Sequence, residues 1–346
     1  MKFLEVRAAI FLLLISFTSA CKSQTNQERE VHDFNEATED EEADASEAEK
    51  EDEEDETLED FAQDAEDFDL MCDLYEAPER VQRKPDFIII GAKKGGTRAL
   101  IEFLKLHPKI KAAGKEIHYF NNRSGEFGNL DWYLSKMPFV TEDQLATEKT
   151  PGYFHTKEVP ARIKAMDPNV KLLLILRDPA KRLVSDYNQF RNKNLDKGQE
   201  YPDLEELLFT TEGEINGRYP PLQRSIYHVH MRRWLKQFPR NQLHIVNGDQ
   251  FIRSPWAQLQ KVETFLGVEP MITENNFFFN STKGYYCGKD IRESGPWTCV
   301  REKCLSSTKG RPKPPLKDDT LTKLRDFFRP HNEIFYQLVN QTFSWP

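Results

Sequence analysis

The stretch Pro85-Asp86-Phe87-Ile88-Ile89-Ile90-Gly91-Ala92-Lys93-Lys94-Gly95-Gly96-Thr97-Arg98-Ala99-Leu100 constrains the fold more than any other part of the chain. Phe87 to Ile90 is an unbroken apolar run of β-forming residues, the pattern of a strand covered on both faces. Gly91 ends the run. Ala99 to Leu106 then carries apolar residues at helical spacing, stopping before His107-Pro108. Strand, glycine-rich loop and helix in that order form the opening unit of an α/β sheet. A helix N-terminus with unpaired N–H groups and flanking lysines is a ready anion site. A tight strand-to-helix turn without a ligand is the bland alternative.

The loop is not a Walker A motif. That motif sets Lys directly before Ser or Thr so that the hydroxyl can hold Mg²⁺. Here Lys94 precedes two glycines and Thr97 follows them. A lysine placed this early can reach a group beyond a 5′ phosphate without a metal. From Pro85 onward, apolar runs at Phe87–Ile90, Leu145–Glu148, Lys171–Leu176 and Leu243–Val246 read as strands. Helical patterns cover Thr97–Leu106, Pro179–Asn192, Leu222–Gln237 and Trp256–Leu266. Asp178-Pro179 is an N-cap followed by proline at the first helical position. The fold class is α/β, with a central parallel sheet flanked by helices. The C-terminal part reads as loop-rich until a last helix near Leu316–Asn340.

The formal net charge of −9 over 346 residues hides a division. From Glu28 to Asp69 there are 23 acidic residues and only two basic ones, Arg29 and Lys50. That segment carries −21, and the rest of the chain carries +12. A basic domain suits a polyanionic partner, and charge alone does not choose between nucleic acid and polysaccharide. Ahead of the acidic segment, Ala8 to Ala20 is uncharged and rich in Leu, Ile and Phe, ending in Thr18-Ser19-Ala20. At ~13 residues this run is short for a membrane span, which needs about 20. Residues 1–20 read as a secretory signal peptide, with a short uncleaved signal anchor as the alternative. Residues 21–80 read as an acidic stem too polar to fold alone. Residues 81–346 form the domain.

Lys93-Lys94-Gly95-Gly96-Thr97-Arg98-Ala99-Leu100 resembles the 5′-phosphosulfate loop of the heparan sulfate glucosamine 3-O-sulfotransferases. The resemblance runs from about Pro85 to Trp345. It implies a P-loop-like sulfotransferase fold and 3′-phosphoadenosine 5′-phosphosulfate as co-substrate, with no metal required. Lys94, Gly95, Gly96, Thr97 and Arg98 would wrap the 5′ phosphosulfate, with the Gly95 and Gly96 N–H groups available to it. Arg177 and Ser185 match the family's 3′-phosphate clamp. Tyr286 matches an adenine-side residue. Lys309, Gly310, Arg311, Pro312 and Lys313 match a cofactor loop, in which Pro312 removes a backbone donor.

Lys115-Glu116-Ile117-His118-Tyr119-Phe120 matches the segment with the family's base. Glu116 would take the proton from a sugar hydroxyl, and His118 would face the same side of an extended segment. Seen alone, Glu116 reads as a surface charge. Asn121 stands where the family tends to have an acidic residue, and an amide can neither take a proton nor pair a cation. Glu148-Lys149-Thr150-Pro151-Gly152-Tyr153 matches a substrate-binding turn, in which Lys149 would also help neutralise the sulfuryl group, alongside Lys94. The substrate set implied is Glu116, His118, Lys149, Thr150, Pro151, Gln189 and Lys197.

Of five cysteines, Cys287 and Cys304 match the family's disulfide pair, while Cys72 and Cys299 stay open. Asn122, Asn280 and Asn340 open glycosylation sequons. The resemblance implies a monomer in the Golgi lumen, with secretion as an alternative. Its partner would be heparan sulfate and not nucleic acid, and a membrane would be touched only through an uncleaved anchor. Competing readings are an N-sulfotransferase or other glycosaminoglycan O-sulfotransferase, a P-loop nucleotide kinase, and a non-catalytic heparan-binding protein.

Overall fold

The apolar run that begins at Phe87 sends alternate side chains to opposite cores. The computed structural model describes residues 78–122, 128–294, 297–305 and 318–346. In it, Ile88 and Ile90 join Leu172, Leu174, Leu176 and Trp234 in one buried cluster. Phe87 and Ile89 join Leu100, Leu173, Ile175 and Phe251 in a second. Two apolar faces on one strand require helices on both sides of the sheet. Each fully buried Leu, Ile or Phe stabilises the fold by roughly 1.5–3 kcal/mol relative to exposure. The strand pair at the centre is therefore the least replaceable part of the scaffold.

In chain order the elements begin β1 (Val81–Gln82), β2 (Phe87–Gly91), α1 (Thr97–Leu104) and β3 (Ile110–Ala112). Next come α2 (Leu130–Leu134), β4 (Phe139–Val140), β5 (Leu145–Lys149), α3 (Val159–Met166) and β6 (Lys171–Leu176). Then follow α4 (Pro179–Leu195), α5 (Leu204–Leu208), α6 (Pro220–Ser225), α7 (Tyr227–Leu235) and β7 (Leu243–Asn247). The last elements are α8 (Gly248–Arg253), α9 (Pro255–Leu266), β8 (Phe277–Asn280), β9 (Tyr285–Ser294), β10 (Trp297–Lys303) and α10 (Asp318–Val339).

Five strands form the central sheet in the order β3-β5-β2-β6-β7, every pair parallel. From β2 the chain runs first to the edge strand β3, returns to β5 between the two, then crosses to the other side of β2 through β6 and β7. In an open α/β sheet the crevice at such a reversal, beyond the strand C-termini, is where ligands bind. The loops after β2, β5 and β6 all open there.

The four expected strands are the three inner members β5, β2 and β6 and the edge strand β7, to within a residue at their ends. Two expectations fail. The expected helix Leu222–Gln237 is two helices, broken at Ile226, whose φ of −82° and ψ of 77° are not helical. Arg182 clamps the first of them by donating to Pro221 O and Ser225 Oγ, while the second packs on α10. The region read as loop-rich holds an antiparallel sheet in the order β10-β9-β8. Charged residues such as Lys289, Asp290, Arg301 and Glu302 interrupt its strands, so no apolar run announces them.

The expected signal segment, nearly all of the acidic stem, and Cys72 lie outside the described residues, as do 306–317 with the expected loop Lys309, Gly310, Arg311, Pro312 and Lys313. Among the described residues, no helix is long and apolar enough to cross a membrane.

Candidate active site at the sheet edge

β2 delivers its loop directly into the crevice. Ala92 N–H donates to Ile175 O of β6 at 2.9 Å, which holds the loop against the neighbouring strand. A Cβ at Gly95 would stand 2.4 Å from that same Ile175 O, so only glycine lets the loop pass so close. Lys94 has φ 68°, a left-handed conformation uncommon for a residue with a side chain. The helix that follows has no side-chain cap and no acidic residue in its first turn. Its N-terminal dipole is thus left for an anion. The expectation that Gly95 N–H is available needs correction, because it donates to Ala92 O at 2.8 Å.

Glu116 lies in the loop after β3. Lys149, at the end of β5, donates to Glu116 Oε1, and His118 Nε2 stands 3.3 Å from Oε2. Burial alone would raise the Glu116 carboxyl. The hydrogen bonds and charges of His118 and Lys149 outweigh it and hold the group down to about 2. His118 Nδ1 in turn faces Asn121 Oδ1 at 3.3 Å. With an acceptor on each ring nitrogen, the doubly protonated imidazole is favoured. The bond to Glu116 first, with Asn121 adding to it, raises His118 above its ordinary value despite partial burial. Asn121 thus does through its carbonyl oxygen part of what an acidic side chain would do. The expected extended segment is corrected to a turn, in which His118 takes φ 59°. A cleft joins Arg98, Glu102, Lys105, Lys115, Glu116 and Lys149, so the first turns of α1 and the Glu116 loop share one basic surface.

On the other side of β2, Arg177 follows β6 and Asp178 caps α4, accepting from Ala180 N at 2.9 Å. Arg177 is half-buried, and its buried Nε has no hydrogen-bond partner among the described residues. Beneath lies a cation-rich network. Arg182, 1% exposed, donates to Lys93 O at 3.1 Å, Ser225 Oγ at 2.7 Å, Pro221 O at 2.6 Å and Asp186 at 3.1 Å. Asp186 also pairs with Arg224 at 2.9 Å and Lys93 at 3.4 Å. Burial would raise Asp186, but Arg182, Lys93 and Arg224 together hold it below the usual carboxylate range. The backbone of the lysine loop is therefore hung on a buried guanidinium. Nearby, His155 is pushed down to about 3 by burial and by Arg224, and is neutral.

A sulfotransferase domain model matches residues 84–341. Heparan sulfate glucosamine 3-O-sulfotransferase 5 of Mus musculus is 43% identical over 267 residues, covering 77% of this chain and 75% of that protein. The chain belongs to the heparan sulfate glucosamine 3-O-sulfotransferase family. Heparan sulfate glucosamine 3-O-sulfotransferase 6 of Homo sapiens is 39% identical over 265 residues, covering 76% of this chain and 74% of that protein. A sulfotransferase from Alicyclobacillus acidocaldarius superposes with a TM-score of 0.55 at 22% identity, covering 76% of this chain and 98% of that one. That likeness is of fold.

Against this family pattern, the expected residues divide. Lys94, Thr97 and Arg98 sit at the start of α1, and Glu116, His118 and Lys149 meet across from them. Ser185 and Gln189 lie one helical turn apart on α4, and Lys197 follows its end. Gln189 and Lys197 are exposed. Two substrate-set members need correction. Thr150 is fully buried with its hydroxyl donated to Glu148, and Pro151 is buried, so neither side chain faces the groove. Tyr286 packs edge-to-face on Trp256 at 5.3 Å and on Phe279 at 5.4 Å. Cys287 and Cys304 form a disulfide.

Of the sequon residues, Asn340 is exposed, while Asn122 and Asn280 are half-buried. The Asn280 Nδ2 points to Cys304 Sγ at 3.8 Å. Among the described residues, no group of three or more His, Cys, Asp and Glu side chains is arranged to hold a metal. Arg182, Asp186, Arg224 and Glu148 belong to the site or its supports and were not read from the sequence. Arg182 and Asp186 did offer a signal, an i,i+4 opposite-charge pair in a helix.

Proposed function

We propose that this chain transfers a sulfuryl group from 3′-phosphoadenosine 5′-phosphosulfate to the 3-OH of glucosamine residues in heparan sulfate. The observation that carries the reading is the Glu116 carboxylate held between Lys149 and His118, across a basic cleft from an uncapped helix N-terminus. The buried, unpartnered Nε of Arg177 fits the donor's 3′ phosphate, a group that Arg binds strongly.

Each residue then has a chemical task. Glu116 accepts the proton of the 3-OH as its oxygen bonds to sulfur. Lys94 and the α1 N-terminus meet the charge that develops on the bridging oxygen as the sulfur–oxygen bond to the 5′ phosphate breaks. Lys149 begins on Glu116, where it depresses the carboxyl too far for a good base. Movement of Lys149 onto the sulfuryl oxygens raises Glu116 basicity as it stabilises transfer. His118 stays on Glu116 and orients it. The stripe Ser185, Gln189 and Lys197 leads from the donor end toward the polysaccharide.

The disulfide Cys287–Cys304 supports a lumenal, oxidising compartment, and we assign the chain to the Golgi as a monomer acting on heparan sulfate. The test is transfer of labelled sulfate from the donor to heparan sulfate, with and without chelator, followed by disaccharide analysis. The expected product is 3-O-sulfated glucosamine at a rate that chelator does not change. Label found only at other positions refutes the assignment.

A further inference from the structure

Glu148 is a carboxyl buried with no exposure, one residue before Lys149, and no cation lies within ion-pair distance of it among the described residues. A buried acid without a counter-ion costs stability, so its retention needs an account. Its Oε2 accepts from the Thr150 hydroxyl at 2.7 Å, and Oε1 from Tyr133 OH at 3.4 Å. Thr150 Oγ1 in turn accepts from the backbone N–H of His118 at 3.4 Å. Thr150 N–H donates to Ile89 O of β2 at 3.2 Å, which ties the chain of bonds to the strand carrying the lysine loop.

The end of this chain of bonds is the His118 turn, in its left-handed conformation. Such a backbone persists only where its surroundings over-determine it. Two contacts do so here. One is the Thr150 hydroxyl. The other is the close approach of Gly152, where a Cβ would stand 2.7 Å from Asn121 Nδ2. The turn is what brings the His118 ring onto Glu116.

We propose that Glu148 is a positioning residue for sulfuryl transfer: through the Thr150 hydroxyl it fixes the turn at His118, and so the ring that orients Glu116. The proposal rests on Glu116 acting as base. The groups that face Glu148 are Tyr133 from α2, Thr150 and Tyr153 from the turn after β5, and His118 from the turn after β3. Burial pushes its carboxyl up to about 7, against the hydroxyls of Thr150, Tyr153 and Tyr133 and the charge of His118. The relay keeps its geometry in either protonation state, because Oε2 accepts from Thr150 in both.

Three variants separate position from charge. Thr150→Val breaks the relay but keeps the Glu148 charge. Glu148→Gln removes the charge but keeps an oxygen for Thr150. Glu148→Ala removes both. Each is measured for kcat and KM toward heparan sulfate, affinity for 3′,5′-adenosine diphosphate, melting temperature, and His118 titration by NMR. In Thr150→Val and Glu148→Ala, kcat falls tenfold or more with donor-product affinity unchanged, and the His118 midpoint drops toward the ordinary imidazole value. Glu148→Gln restores kcat to within about threefold. Folded Thr150→Val with wild-type kcat and wild-type His118 titration overturns the proposal. So does loss of kcat in Glu148→Gln equal to that in Glu148→Ala. Failure of the base assignment reads differently: Glu116→Gln then retains activity, whatever Thr150→Val does to the His118 titration.

Discussion

Replacing Arg182 with methionine removes the guanidinium from which the lysine loop hangs while keeping a side chain of similar length. Four bonds are lost, to Lys93 O, Pro221 O, Ser225 Oγ and Asp186. Removing one partner of a buried ion pair costs about 3–5 kcal/mol, because it strands the other charge. Here Asp186 keeps Arg224 and Lys93, which discounts that term. The stranded carbonyls of Lys93 and Pro221 add to it, at roughly 1–3 kcal/mol for each that stays dry. The net expectation is about 3–5 kcal/mol, or a melting point lower by roughly 6–20 °C for a domain of this size. The loop should loosen as well, so affinity for 3′,5′-adenosine diphosphate falls by at least tenfold at a temperature where the variant is still folded. Differential scanning calorimetry and titration calorimetry read the two effects. A melting point within about 2 °C of wild type together with unchanged affinity refutes the reasoning. Arg182→Lys keeps the charge but not the fork, and should recover stability better than affinity.

Glu116→Gln keeps shape and loses the proton acceptor, so transfer should drop by roughly 10²–10⁴-fold while calorimetric affinity for 3′,5′-adenosine diphosphate is retained. Activity near wild type in the folded variant would rule out the base role. Arg177→Ala should raise KM for the donor and weaken binding of 3′,5′-adenosine diphosphate, with little change for adenosine 5′-monophosphate, which lacks the 3′ phosphate. Equal losses for both nucleotides would place Arg177 elsewhere. Glu148 is raised from 4.5 to about 7 by burial, so the folded state holds its proton longer than the unfolded chain does. Its contribution is therefore intact below pH 4.5 and is lost as pH rises through 7, by about 3 kcal/mol in all. Glu148→Gln should gain melting temperature relative to wild type across that window, and a pH-independent difference would contradict the burial argument.

The inner strands were legible because Phe87–Ile90 and Lys171–Leu176 are apolar at every or nearly every position, which only a strand between two helical layers can use. Short edge strand β3 and the charged hairpin of β9 and β10 gave no such signal. The lysine loop was legible from glycine and lysine spacing. Glu116 was not, since a lone glutamate in a loop reads as surface, and only resemblance singled it out. Arg182, Asp186 and Glu148 went unread for one reason: charge gives no sign of burial, which depends on what the rest of the chain places around a residue. Thr150 erred the other way, because a motif names the turn but not which of its side chains points inward.

The strand order β3-β5-β2-β6-β7 divides labour about its middle member. Everything assigned to the acceptor hydroxyl, Glu116, His118 and Lys149, lies between β3 and β5 or at their ends. Arg177 and Ser185, proposed to clamp the donor's 3′ phosphate, follow β6. Only β2 belongs to both halves. The residues proposed to act on the acceptor thus fall in a nearly contiguous segment, residues 105–157, whose exchange between relatives should leave untouched the residues proposed to grip the 3′ phosphate. The Arg182 support beneath the lysine loop touches no residue of that segment, so the exchange leaves it in place. Such a graft should carry the groups on the acceptor hydroxyl with it, and leave behind nucleotide affinity and whatever saccharide preference Gln189 and Lys197 supply from α4.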